Sequence, residues 1–474
     1  MSSPRLSRTA GQGRATAPVR LVHLGLGNFF RAHQCWYTEH APDAADWGIA
    51  AFTGTSSPPL VDELNEQEGL YTLVSRAGDE DRFEVLSSLS RAHAVADHDA
   101  WLRYFEAPEL AAVTITVTEA GYLRGAGGGL DVGRPDVQAD IEALRSDPTG
   151  LVRTAPGRLV AGIAARRRAG VGALALVPCD NAPGNGALAE QVVRDLAGLV
   201  HADLAAWFRD SVTVVTTMVD RITPRPTPQD ARTVLERTGF DDRCPVVSEP
   251  FHEWVLSGAF PAGRPRWEDA GATFTDDVTP YEHRKLWLLN GAHSLLAYAG
   301  SIRGHATVAG AVADETCRSW LEEWWAVASP HLDQPAAGAA AGAAGGAAAD
   351  VAAYRAALLA RFANARMHDR LDRIAADGSQ KLPIRILPVL RAERAAGLVP
   401  AGATRVLAAW VCHLRGLGAP IRDTRAAEVV PLAAGPLGAA VPRVLGALDP
   451  ALGADADVAA MVVDQSEQFV QQGR

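Results

Sequence analysis

Lys285, Asn290 and His293 stand among the apolar residues of a helical pattern within 281–294. A lysine in an apolar setting holds its proton less firmly, because burial disfavours charge, and it can then serve as a base near neutral pH. An amide and an imidazole beside it could hydrogen-bond an oxygen that gains negative charge. Asn290 and His293 are spaced i,i+3 and share a helix face. On a straight α-helix Lys285 lies about 80° round and roughly 12 Å along from His293. Its long side chain must bridge that gap, or the helix must begin after it. The same pattern also suits a solvated lysine beside a buried, hydrogen-bonded Asn and His.

Three further clusters fall where strands end. The run 19–25 (VRLVHLG) leads into Gly25-Leu26-Gly27-Asn28-Phe29-Phe30. A GxG between strand and helix lets backbone approach a pyrophosphate, with the helix N-terminus facing the anion. Phe30 stands where the usual fingerprint has a third glycine, so a plain tight turn fits as well. Arg31 and His33 follow, and a guanidinium suits phosphate. The second cluster is Thr118-Glu119-Ala120-Gly121-Tyr122, and a third is Cys179-Asp180-Asn181-Ala182-Pro183-Gly184-Asn185-Gly186. Both read equally as turns or as ligand loops at the C-terminal ends of strands.

The elements that would position these residues alternate. Apolar, β-branched runs at 19–25, 47–53, 110–117, 172–177 and 212–219 read as strands, and 29–40, 136–145, 158–169 and 186–196 as helices. That order predicts an α/β fold, a Rossmann-type doubly wound parallel sheet. Beyond about 280 helical periods dominate, at 285–298, 315–328, 351–362 and 404–414, which predicts a mostly α-helical C-terminal domain. The expected division is a disordered leader at 1–18, a Rossmann-type α/β domain at 19–280 and a helical domain at 281–474. The alanine–glycine stretch 335–349 reads as a surface insertion.

Composition narrows the partners. The 474 residues are 48% hydrophobic and 21% charged, with a formal net charge of −10. That balance offers no basic surface for nucleic acid or an anionic membrane. The five cysteines form no CxxC pair, so no metal site is expected, and a scattered odd set suits a reducing cytoplasm. The first twenty residues lack an apolar signal-peptide core, and no apolar run reaches the ~18 residues of a membrane span.

Seven motifs in order make the chain resemble the polyol-specific long-chain dehydrogenases, the mannitol dehydrogenase family. They are Gly25, Gly27, Phe29, Arg31, Ala32 and His33; Thr116 to Tyr122; Cys179, Asp180, Asn181, Asn185 and Gly186; Thr217 to Pro224; Ser248 to Val255; Lys285, Leu289, Asn290, Gly291, His293 and Ser294; and Asp377, Gly378, Ser379, Lys381, Leu382 and Pro383. The resemblance runs from about Val19 to the C-terminus. It implies zinc-independent hydride transfer between NAD, with NADP as an alternative, and a sugar alcohol/ketose pair such as D-mannitol and D-fructose. It also implies roles. Lys285 would be the general base, Asn181 and Asn290 would hold the reacting oxygen, and His293 would hydrogen-bond the substrate. Glu282 and Asp220 would pass the proton to water, and Lys381 would reach a distal substrate oxygen. Gly25, Gly27, Phe29, Arg31 and Glu119 would surround the cofactor.

Two departures bear on specificity. Ser56 or Ser57 stands near the position after the second strand where the family often carries an acid for the ribose, which leaves NAD against NADP open. The motifs are shared with fructuronate reductases, and Lys381 or Arg385 could supply the cation that a carboxylate substrate would want. A reading of another class, a non-catalytic dinucleotide-binding regulator, would need Gly25, Gly27 and Arg31 but not Lys285, Asn181, Asn290 and His293.

Overall fold

Strands Val19–Leu24 (β1) and Gly48–Phe52 (β2) pair in parallel at the centre of the N-terminal half of the chain. The computed structural model describes residues 4–54, 58–125, 127–332 and 347–472. It divides into two compact units, Met1–Thr279 and Pro280–Arg474.

In the first unit further strands follow at Tyr71–Arg76 (β3), Asp81–Leu86 (β4), Leu89–His93 (β5), Ala112–Ile115 (β6), Leu174–Pro178 (β7) and Val212–Val214 (β8). The main sheet has the order β5-β2-β1-β6-β7-β8, and every pairing in it is parallel. The order reverses at β1, where a doubly wound sheet opens its ligand crevice at the strands' C-terminal ends. Both faces are covered, which is why these strands read as continuous apolar runs. Val22, Leu24, Leu174 and Leu176 pack on one face with Trp101, Phe105, Leu159 and Ile163. Leu21, Ile49, Ala175 and Val177 pack on the other with Tyr37, Trp254 and Trp267.

Three sequence expectations need correction here. The strand expected at 212–219 is two strands. Val212–Val214 ends the main sheet, and Thr216–Asp220 (β9) leaves it to pair antiparallel with a strand at Glu253–Ser257. The break comes at Val215, beside Gly258 (φ +139), whose missing Cβ would meet the Val215 Cα at 3.1 Å. The helix expected at 29–40 is broken at His33 into Asn28–Ala32 and Gln34–His40. The His33 ring bonds through Nε2 to the Glu253 carbonyl at 3.0 Å, which ties the kink to the neighbouring strand. Residues 4–18 are not a disordered leader. Leu6 is buried, and the Arg8 guanidinium donates to the carbonyls of Glu68 (2.8 Å), Ser87 (2.8 Å), Leu89 (2.9 Å) and Arg14. A composition rich in Ser, Gly and Arg concealed a segment that folds by matching arginine donors to open backbone acceptors. The strands β3, β4 and β5 also lay outside the sequence reading.

The regular elements among the described residues of the second unit are all helices, with an isolated bridge between Thr307 and Arg370. Helices Glu315–Ala328 and Ala401–Leu414 pack closely because Gly402 has no Cβ; one there would lie 2.7 Å from the Glu323 carbonyl oxygen and 2.9 Å from the Trp324 Cα. Asp314 caps the first of these helices through the N–H groups of Thr316 (2.8 Å) and Cys317 (3.3 Å). The alanine–glycine stretch lies largely outside the described residues, and a helix runs Ala347–Phe362.

Candidate functional site

The GxG turn of the first unit is built from β1 and β6. Gly25 has φ +119, and a Cβ there would meet Thr116 Oγ1 at 2.6 Å and the Thr116 carbonyl oxygen at 2.8 Å. Thr116 in turn donates its hydroxyl to the Gly25 carbonyl at 2.9 Å. Beneath them His23 bonds Thr114 Oγ1 (2.8 Å) and Thr116 Oγ1 (3.0 Å) and stacks on Phe30 at 3.6 Å. Burial pulls the His23 pKa down to about 3, so it stays neutral. Gly27 differs. Its backbone is extended (φ −147), and the nearest atom to a Cβ there would be the Gly25 carbonyl oxygen at 3.5 Å. The fold requires glycine at position 25, whereas the space over position 27 is open and would be filled by a side chain.

Arg31 follows the turn in the helix Asn28–Ala32. Its guanidinium is buried and donates to the Cys244 carbonyl (2.6 Å), the Asn28 side-chain oxygen (2.7 Å) and the Gly27 carbonyl (3.3 Å). These donors fasten the turn to the protein. Phe29 stacks on His33 at 5.0 Å. The loop after β2, with Ser56 and Ser57, lies outside the described residues.

The second and third clusters meet through one hydrogen bond, from the Tyr122 hydroxyl to the Asp180 carboxylate. Burial raises the Asp180 pKa to about 6. Glu119 is exposed in the short turn Glu119–Tyr122. Asn181 is exposed just past β7, and Asn185 is fully buried. The Asn185 amide donates to the Thr217 carbonyl (3.0 Å) and accepts from the Thr217 N–H (3.0 Å), stitching the loop to β9. Gly186 is needed for that contact, since a Cβ would lie 2.3 Å from Thr216 Oγ1. Asp220 closes β9, is buried, and its charge is felt by the His33 ring. Arg221, the next residue, is a staple. It donates to the carbonyls of Glu249 (3.2 and 3.3 Å) and Ala32, and burial lowers its pKa to about 10.

In the second unit Glu282 is half-buried in the helix Thr279–Arg284. That helix does not continue as α. Lys285–Asn290 is π-helical, with the Gly291 N–H bonded to the Leu286 carbonyl five residues back, and α geometry resumes at Gly291–Leu295. One extra residue in a turn rotates everything beyond it by about 100°. The separation of Lys285 from His293 thus falls from ~80° to roughly 20°, and that of Lys285 from Asn290 from ~140° to roughly 40°. The straight-helix spacing read from sequence is corrected, and the three side chains share one face. Lys285 is 8% exposed. His293 Nε2 stands 3.9 Å from Asp369 Oδ2, and its ring is 4.9 Å from Phe362. Burial raises the Asp369 pKa. Arg385 donates to the Asn290 carbonyl (3.4 Å) and to Ser294 Oγ (3.3 Å).

Lys381 lies in the helix Gly378–Arg385. It donates to the carbonyls of Ala376 (2.6 Å) and Ile374 (3.3 Å). Both bonds brace the residues just before that helix. One His–Asp–Cys grouping with ligand-like spacing occurs among the described residues, His305, Asp314 and Cys317. Its carboxylate is already bonded by Arg303 (2.8 Å), by His305 (2.8 Å) and by the helix N–H groups it caps.

A compositional signal escaped the sequence reading. The chain holds 43 arginines and two lysines, Lys285 and Lys381. Arginine can replace lysine as a charge but cannot release a proton in a protein. A chain that uses arginine nearly everywhere and keeps lysine inside the apolar helix marks Lys285 as a position where titration matters.

The chain is similar to known proteins along most of its length. The mannitol dehydrogenase Rossmann domain model matches residues 19–269, and the mannitol dehydrogenase C-terminal domain model matches 277–429. The chain is 35% identical to the D-mannonate oxidoreductase of Escherichia coli over 384 residues, 78% of this chain and 75% of that protein. It is 34% identical to a mannitol 2-dehydrogenase of Cereibacter sphaeroides over 403 residues, 84% and 81% of the two chains. Its fold matches Pseudomonas fluorescens mannitol 2-dehydrogenase, solved in a ternary complex with NAD and D-mannitol, with a TM-score of 0.81, 30% identity, and coverage of 96% of this chain and 93% of that one. With both domain models matched in order and relatives at this identity over three quarters or more of each chain, the chain belongs to the mannitol dehydrogenase family of oxidoreductases.

Proposed function

We propose that the protein transfers a hydride between NAD(P) and a polyol/ketose pair, D-mannitol and D-fructose first. The observation that carries this reading is the π-turn, which gathers a buried lysine, an asparagine and a histidine on one helix face. The open space over Gly27 and the tight turn at Gly25 fit a dinucleotide whose pyrophosphate lies against backbone. When bound, the dinucleotide supplies the hydride acceptor in oxidation and the donor in reduction.

The chain's own residues then have separable tasks. Lys285, neutral at Nζ, takes the hydroxyl proton of the alcohol. The Asn290 amide donates to the oxygen as it becomes alkoxide-like, and Asn181 has the same role by resemblance. His293 hydrogen-bonds the substrate. Glu282 and Asp220 are the carboxylates through which the proton leaves for water. Gly25, Gly27, Phe29 and Glu119 serve the cofactor, and Arg31 serves it by fastening their turn. Preference for NAD is supported by the NAD complex of the Pseudomonas relative. No helix among the described residues is long and apolar enough to cross a membrane, and five buried free thiols support a reducing, cytoplasmic setting.

A second reading, D-mannonate/D-fructuronate, is favoured by Arg385, whose guanidinium lies on the Asn290 carbonyl and Ser294 hydroxyl and adds a cation beside that helix. Cofactor absorbance with D-mannitol and D-mannonate, each with NAD and NADP, separates the two. Lys285→Ala is expected to lower turnover by about 10²–10⁴-fold with cofactor affinity unchanged. Near wild-type turnover with an unshifted pH profile would transfer the base to another residue. Absence of turnover with either substrate, alongside tight cofactor binding, would favour the regulator reading.

A further inference from the structure

A π-turn is a strained way to build a helix, and something must hold it. The extra residue breaks the i→i+4 ladder and disturbs the carbonyl pairing within the turn. Two indoles meet that need. Trp324 Nε1 donates to the Trp287 carbonyl at 2.8 Å, and Trp325 Nε1 donates to the Leu288 carbonyl at 2.9 Å. Both acceptors are interior residues of Lys285–Asn290. Both indoles are fully buried. Trp324 is itself held from two sides by glycines: a Cβ at Gly291 would lie 2.7 Å from its Nε1, and one at Gly402 would lie 2.9 Å from its Cα.

We infer that Trp324 and Trp325 are positioning residues for Lys285: their indole N–H groups hold the π-turn that rotates the lysine onto the face of Asn290 and His293. Adjacent residues on one helix reach adjacent carbonyls on the other, so the pair matches the widened turn step for step. Without these bonds the segment would gain by reverting to the α-helix, whose ladder satisfies its own carbonyls. Reversion would carry Lys285 about 100° away from its partners. The effect on chemistry rests on Lys285 being the base; the effect on the lysine's surroundings does not.

The test replaces each indole by an apolar ring without a donor, in Trp324→Phe and Trp325→Phe, with Trp320→Phe on the same helix as control. Turnover of D-mannitol or D-mannonate should fall by about 10–100-fold in the first two, with the pH profile of kcat displaced and NAD affinity unchanged. A second readout needs no turnover. Reductive methylation with isotopically labelled formaldehyde marks Lys285, Lys381 and the α-amine alone, so the Lys285 titration can be followed by NMR. Its midpoint should move in Trp324→Phe and Trp325→Phe and stay in place in Trp320→Phe. If phenylalanine prevents folding at either position, the benzothiophene analogue of tryptophan keeps the bicyclic ring and lacks only the N–H. A folded variant with unchanged kcat, pH profile and Lys285 midpoint would overturn the inference. A wild-type protein inactive on both substrates would overturn the proposed function and leave the titration to decide this one.

Discussion

At the scale of single residues, the two glycines of one motif have different reasons to be glycine. Gly25 answers to the fold, through its positive φ and its contact with Thr116. Gly27 has an extended backbone and room for a side chain. Gly25→Ala should therefore destabilise the first unit by about 1–3 kcal/mol, seen in urea melts. Gly27→Ala should fold normally and weaken NAD(H) binding by about tenfold, or ~1.4 kcal/mol, seen by fluorescence titration. Equal melting with undiminished NAD(H) affinity in Gly27→Ala would show that the open space is not where the cofactor lies. The asparagines divide in the same way. Asn185 is spent on Thr217, and Asn181 alone of the pair is exposed.

At the scale of elements, legibility followed whether a pattern was local. The buried strands β1, β2 and β7 were readable because a strand covered on both faces is apolar throughout. Helix Glu315–Ala328 was readable from its period. The break at His33 was not, because its cause is a carbonyl at Glu253, 220 residues away. The π-turn was hidden for the same reason: the donors that sustain it sit on another helix, at Trp324 and Trp325. Lys285, Asn290 and His293 could be picked out by residue type, but their common face could not. The N-terminal segment was misread because low hydrophobicity says nothing of arginine's reach to distant carbonyls. Deleting residues 1–14 should lower stability by at least the ~1.5–3 kcal/mol of burying a leucine such as Leu6. An unchanged urea midpoint in the truncated protein would mean that Arg8 and Leu6 contribute nothing.

At the scale of the whole molecule, buried histidines set the acid limit. Burial holds His23 and His33 near pKa 3 and His252 and His413 near 4, against 6.5 when exposed. As pH falls below 6.5 the unfolded chain takes up these protons before the folded one. The stability they contribute is complete above 6.5 and is lost as pH falls toward their folded values. Asp180, raised by burial to about 6 from 3.8, works in the other direction: its contribution is present at low pH and is lost as pH rises through 6. With four histidines against that carboxyl and Asp369, whose pKa burial also raises, the melting temperature should fall between pH 7.5 and 5. A flat profile across that range would mean that the histidines are not held neutral by the fold.

The scarcity of lysine has one more consequence, for proteolysis. A protease that cuts only after lysine has two bonds to choose from, and its limit products are 1–285, 286–381 and 382–474. Both bonds lie inside helical segments of the second unit, one at the start of the π-turn and one in Gly378–Arg385. Cleavage requires the helix around the lysine to open. In the regime where reclosing outpaces cutting, the rate of digestion measures the free energy of that opening. Digestion by such an enzyme would report the local stability of these two helices while the rest of the chain stays folded and uncut.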